Sequence, residues 1–157
     1  LAVGQVKPIS HKRVEAAIRD AAPQGARLDY SEASVAQLER LIASWESTAR
    51  IANDLDDGAY VGDQLGGLID LPALGAYFGE LFVRHAGAEW CEADGEDGPE
   101  VAVARGGVTV LPLEIVRRRA TDGRHVDLVG IFQREKAAML AGWRHAAPGD
   151  AADSGGR

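Results

Sequence analysis

The stretch LGAYFGELFVRHAGAEW, Leu74–Trp90, decides the fold, because it reads as a helix with almost no outward face. Leu74, Tyr77, Phe78, Leu81, Phe82 and His85 recur at three- and four-residue spacing and make a wide apolar stripe. Gly75, Gly79, Val83 and Ala86 make a second face of mostly small residues, so two neighbours can pack on one helix. A glycine inside a helix costs roughly 1 kcal/mol relative to alanine, and two on one face imply that another backbone comes too close for a side chain. Gly87 stands where a left-handed cap would stop the helix. Only Ala73, Ala76, Glu80 and Arg84 remain as an outward strip, with Glu80 and Arg84 four apart and able to pair.

Upstream, Ser10 reads as the N-cap of a first helix with Val14, Ala17, Ile18 and Ala21 on one face, ended by Pro23 and Gly25. A second helix is expected from Ser31, whose hydroxyl would cap free amides while Tyr30 packs on Val35 as a hydrophobic staple. Its stripe is Val35, Leu38, Leu41, Ile42 and Trp45, and it should run to about Ile51. From Ala52 to Asp70, aspartates and glycines mixed with apolar residues predict an ordered loop with one short turn of helix. Asp70 can cap the central helix with Pro72 in its first turn, or Pro72 can kink a longer helix starting near Asp63.

Downstream of Gly87 the period changes from helical to extended. Ala88–Glu92, Glu100–Ala104 and Val108–Leu111 read as three short strands, separated by the acidic turn Ala93–Pro99 and by Gly106-Gly107, a two-residue hairpin signal. Pro112 then opens a helix with Leu113, Val116 and Ala120 inward and Gly123 as terminator. A last helix follows from about Val126 to Trp143, its apolar face formed by Leu128, Ile131, Phe132, Ala138 and Met139, with Glu135 at the edge. The fold expected is therefore α+β: an N-terminal helical pair, a central helix from about Asp70 to Ala86, a three-stranded antiparallel meander and two C-terminal helices. Residues 1–145 make one domain in this reading, and 146–157, small residues with Gly, Pro and Asp, a disordered tail.

A chain of 157 residues can bury about 68–70% of its unfolded surface without staples. The single cysteine, Cys91, leaves no intramolecular disulfide and no thiolate cluster for zinc. No apolar run approaches the roughly 18 to 20 residues that span a bilayer, and the first residues lack the apolar centre of a signal peptide, so a cytoplasmic protein with no membrane contact is expected. Fourteen arginines against three lysines, with abundant Ala and Gly, match the codon bias of a high-GC bacterium. The net charge of −7 is uneven: residues 1–50 carry seven bases and six acids, 51–100 one base and twelve acids, and 101–157 nine bases and six acids. A nucleic-acid binder needs a basic stripe to track phosphates, and an acidic middle third argues against one.

The central stretch, the proline-led VLPLEIVRRR (Val110–Arg119) and the spacing to DGRHVDLVGIF (Asp122–Phe132) together resemble a family of bacterial proteins defined only as domain of unknown function 3806. The resemblance covers about half the chain. It implies an α+β domain and carries no activity; Arg118 and Arg119 match a basic pair of the family pattern, while Arg117 stands where the family often has a small polar residue.

Chemistry is sparsely signalled. Glu80, Arg84 and His85 are the one acid, base and imidazole on the central helix, which makes them the catalytic candidates, against the plainer reading of a surface pair and a hydrogen-bonded core histidine. Asp54, Asp56, Asp57 and Asp63 fail the twelve-residue calcium-loop pattern, because Leu65 stands where a bidentate glutamate is needed, and no metal is expected. GDQLGG, Gly62–Gly67, has the glycines of a phosphate loop without its lysine, and no cofactor is expected. The leading functional expectation is a non-catalytic interaction module, an accessory or immunity-like binder. In it the acidic turns, through Asp54, Asp56, Asp57, Asp94, Glu96 and Asp97, meet a basic protein surface, with Arg118 and Arg119 as further binding candidates. The alternative is a small enzyme in which Glu80 acts as general acid or base on an anionic metabolite held by Arg84 or one of those arginines.

Overall fold

Ser10 is extended and its hydroxyl accepts the Arg13 N–H, so the first helix, α1, starts at His11 and runs to Ala21 before a 3₁₀ turn, Ala22–Gln24, closed by a left-handed Gly25. The computed structural model describes residues 9–55, 70–96, 98–123 and 126–145. Helix α2 is Ser34–Leu55 and α3 is Leu71–Ala86. Strands β1 (Glu89–Gly95), β2 (Gly98–Arg105) and β3 (Val108–Val110) form an antiparallel sheet in that order, and α4 (Pro112–Asp122) and α5 (Leu128–His145) follow. The arrangement is α+β, with five α-helices among the described residues around a three-stranded meander.

Helix α3 is central, as its two faces require. It packs against α1, α4, α5 and β2. Leu74, Tyr77, Phe78, Leu81 and Phe82 are fully buried, and Phe78 and Phe82 meet Phe132 of α5 with ring centroids 6.4 and 5.0 Å apart. On the other face the glycines admit a neighbouring backbone: a Cβ on Gly75 would lie 2.8 Å from the Leu113 Cα of α4, and one on Gly79 would lie 2.9 Å from Pro112 Cγ and run into the Trp90 ring. Asp70 caps the helix by accepting the Ala73 N–H at 3.2 Å, Pro72 occupies the first turn, and Gly87 closes the end at φ 70° with its N–H on the Phe82 carbonyl. Ala73, assigned by periodicity to the outward strip, is fully buried. Helix α1 packs along α3 and is fastened to its first turn by Arg13, whose Nε and Nη2 donate to the two Asp70 carboxylate oxygens at 2.6 and 2.8 Å, so that end of the strip is covered.

Two local expectations are not met. The Ser31 hydroxyl does not cap α2; it donates to Asp29 at 2.6 Å, and Asp29 also accepts the Ser31 N–H. Those two bonds hold the Asp29 carboxyl below the usual carboxylate range. Tyr30 stacks on Tyr77, with centroids 4.7 Å apart, in the role expected for Val35. Helix α2 also continues to Leu55, so Asp54 belongs to its last turn and not to a loop. Asp56, Asp57, Asp63, the stretch Gly62–Gly67 and the tail 146–157 lie outside the described residues, as do the side chains of Trp45 and Trp143.

The sheet is longer than its alternation suggested. Ala93–Gly95 and Gly98-Pro99, expected in an acidic loop, are paired strand, and the turn between β1 and β2 shrinks to positions 96 and 97. Gly106 and Gly107, at φ 60° and 82°, make the expected two-residue turn between Arg105 and Val108, because both positions need the left-handed region. Helix α5 gains caps that no pattern announced: the Asp127 carboxylate accepts the Gly130 N–H at 3.0 Å, and Glu39 of α2 accepts the Leu128 N–H at 2.7 Å.

Tyr77 is the polar exception in this core. Its hydroxyl accepts the Tyr30 N–H at 2.8 Å and is 2.7 Å from Ser34 Oγ. The Ser34 hydroxyl spends its only proton on the Ser31 carbonyl at 2.6 Å, so Tyr77 is the donor to Ser34, and both hydroxyls and the Tyr30 N–H have partners. Burial pushes the Tyr77 phenol above its ordinary pKa, which keeps it a neutral donor.

The two features yield two tests. Gly75→Ala should destabilise the protein by about 1–3 kcal/mol in chemical denaturation, despite the roughly 1 kcal/mol of helix propensity that alanine brings, while Ala76→Leu stays near neutral. A stabilised Gly75→Ala would mean that α4 does not lie against this face. Tyr77→Phe should cost about 1–3 kcal/mol by leaving the Tyr30 N–H without its acceptor. An unchanged melting temperature would sink the proposed hydrogen-bond chain.

Candidate functional site

The outward strip of α3 is the floor of a groove of about 330 Å³. Small residues keep its floor low: Gly75 and Ala76 carry little or no side chain, and the wall beyond is the start of α4, Pro112 and Leu113, the latter packed directly on Gly75. Ile9, just before α1, and His11 and Val14 of α1 close one side, and Trp90, Pro99 and Val101 close the other from the sheet. Most of this surface is apolar; Glu80, Glu100, Arg84 and His11 supply its polar groups.

Along one wall runs a continuous relay of ring and charge. The Trp90 indole N–H donates to Glu80 Oε1 at 3.2 Å, and Arg84 Nε donates to Glu80 Oε2 at 3.3 Å. The Arg84 guanidinium lies 3.7 Å over the Tyr30 ring, which stacks on Tyr77. Glu80 and Arg84 are 32% and 46% exposed, so the pair adds little stability and mainly orients the two aromatic rings. Trp90 is 37% exposed, a large apolar ring presented to solvent beside the groove.

Tyr30 is held in a conformation that a non-glycine residue adopts at a cost of about 1–3 kcal/mol, with φ at 63°. Four contacts hold it there. Tyr77 takes its N–H and stacks on its ring, Arg84 covers the other ring face, and His85 Nε2, 2.7 Å from the Tyr30 carbonyl, donates to it. These contacts over-determine the strained conformation and set the Tyr30 ring in the groove wall.

The structure separates the three residues singled out on α3. Glu80 and Arg84 line the groove, while His85 stands behind it, engaged with the Tyr30 carbonyl and with Nδ1 3.8 Å from Glu32. Lys136 bonds Glu32 at 2.6 Å and holds its carboxyl below the ordinary range. Of the acidic candidates, Asp94 lies on β1 and is exposed; Glu96 is in the adjoining turn, 3.7 Å from Arg118, which also reaches Glu114 at 3.4 Å. Asp97 is outside the described residues, like Asp56 and Asp57, and the side chain of Asp54 is as well. The arginine triplet divides by helical rotation: Arg117 and Arg118 are exposed, and Arg119 is buried at 5% exposure. Tyr30 was read from sequence as a staple and Trp90 as part of the first strand, and their place in the groove had no local signal. The Asx turn at Asp29 was the nearest one.

Among the described residues no group of three or more His, Cys, Asp or Glu is disposed to hold a metal ion, and no helix is long and apolar enough to cross a membrane. No curated protein and no solved structure matches the chain. Residues 63–132 match a family model, and they span α3, the whole sheet, α4 and the first turn of α5, so the groove's floor and two of its walls come from the matched segment. The model matched over that segment is DUF3806, a domain of unknown function.

Proposed function

We propose that the protein is a non-catalytic interaction module that meets a basic partner through the groove and the acidic hairpin beside it. The observation that carries this reading is the half-exposed Trp90, fixed by Glu80 at the junction of an apolar groove and a strand whose neighbouring side chains are acidic. Tryptophan and tyrosine anchors beside apolar pockets dominate binding energy at protein interfaces, and charge around them sets encounter rate and choice of partner. Glu89, Glu92, Asp94 and Glu96 provide that charge along one strand and its turn.

The position of Glu80 in the groove keeps a small-enzyme reading as the alternative, with Glu80 as general acid or base. Its two oxygens are already engaged by Trp90 and Arg84, an arrangement suited to a fixed carboxylate.

Affinity capture from the source cell's lysate at low and high salt, with wild type beside Trp90→Ala and Asp94→Asn/Glu96→Gln, separates the two. The interaction reading expects a protein retained by wild type and lost with Trp90→Ala, and slower association with a flatter salt dependence for the double variant at unchanged stability. A metabolite retained or turned over, with Glu80→Gln inactive and folded, would overturn it in favour of the enzyme.

A further inference from the structure

We propose that the free edge of β1 is a docking strand for an extended basic segment of a partner protein; this rests on the interaction reading above and specifies how the partner is held. The register fixes which backbone groups are available. Gly95 and Gly98 flank a two-residue turn and so exchange hydrogen bonds, and bonded and non-bonded pairs alternate along an antiparallel ladder. Trp90, Glu92 and Asp94 therefore occupy non-bonded positions towards β2, with their N–H and C=O groups directed away from it. Pro99, which has no N–H to give, stands opposite Asp94, where this register needs none. Strand β1 is the outer strand of the sheet, and its only pairing among the described residues is with β2. Its seven residues thus present three evenly spaced donor and acceptor pairs to a newcomer.

Charge selects the occupant. Glu89, Glu92, Asp94 and Glu96 line this strand and its turn without a base among them. Two copies of β1 paired antiparallel about Glu92 would set that carboxylate against itself and the Asp94 of each copy beside the other's Trp90, and like charges directly opposite are destabilising. The edge rejects its own copy and fits a basic strand. One Glu92 carboxylate oxygen is buried with no hydrogen-bond partner among the described residues, a cost that an ammonium or guanidinium on the adjacent strand would remove. Cross-strand neighbours share a face, so the segment needs a basic residue opposite Glu92, another opposite Asp94, and an apolar residue opposite Trp90, where it extends the groove wall.

The probe is a synthetic peptide alternating Thr with Lys, Lys and Val, accompanied by a version with Glu for Lys and by two versions N-methylated on alternate amides, one for each edge of the peptide. Amide hydrogen exchange of the full chain is read with and without each. The Lys peptide should slow exchange at Trp90, Glu92 and Asp94, the Glu peptide should not, and one of the two methylated forms should bind at least about tenfold more weakly than the other, the loss of roughly one to two net hydrogen bonds. Glu92→Gln should weaken the Lys peptide while Cys91 and Ala93 stay protected, which shows the sheet intact. Unchanged exchange at the three amides, equal binding of the two methylated forms, or a salt-insensitive dimer protecting them without peptide would each overturn edge docking. If the Lys peptide binds without protecting these amides and Trp90→Ala abolishes it, edge docking fails while the interaction reading stands.

Discussion

A phenolic hydroxyl enclosed by apolar side chains must find partners inside the fold, and at Tyr77 that requirement joins the N-terminal segment to the central helix. The ring fills the core between α3 and the start of α2, and its oxygen takes the Tyr30 N–H and gives to Ser34. A left-handed Tyr30 is the geometric result. The loop between α1 and α2 must turn its amide inwards, and the turn throws the Tyr30 ring outwards over Tyr77 and under Arg84. The same bond that satisfies the core thus shapes the groove wall, which is why stability and site are hard to separate here.

The opposite face of α3 works by omission. Gly75 and Gly79 contribute no side chain, and α4 uses the space to bring Leu113 and Pro112 against the helix backbone while the Trp90 ring lies over Gly79. Close approach gains dispersion contacts that would be forfeited by a gap of even a fraction of an ångström. It also leaves Trp90 with the outer edge of its six-membered ring against Gly79 and its indole N–H within reach of Glu80. Aromatic exposure at this spot therefore follows from packing demands on the far side of the same helix.

What could be read in the sequence followed from contacts within a few residues. The two faces of α3, the Ser10, Asp70 and Gly87 caps, the Gly106-Gly107 turn and the proline start of α4 each depend on neighbours close in the chain, and each is present as expected. Ser31 went otherwise because Asp29, two residues back, takes its hydroxyl and its N–H, and Ala73 because α1 covers the first turn of α3; Tyr77, far along the chain, draws Tyr30 and Ser34 into its own bonds. The acidic stretch after Glu92 was read as a loop because Gly and Pro break strands locally, yet a hairpin tolerates both where its register leaves an amide outside the ladder. Of the site, Glu80 and Arg84 were legible from their spacing. The groove was not, since its walls come from α1, the sheet and α4, and no local pattern announces that they converge.

The segment that matches the family begins at residue 63, yet the aromatic stripe inside it is completed by residues that come before it. Ser34 and the Tyr30 amide serve Tyr77, Arg13 serves Asp70, and Glu39 serves the first amide of α5. A fragment cut at the family boundary would expose a phenol, a helix cap and a helix start that are all provided for from outside. The matched segment and the set of residues that serve its core therefore differ in length, and a chain that keeps this central helix behind a different N-terminal segment must supply a substitute donor for the same tyrosine oxygen.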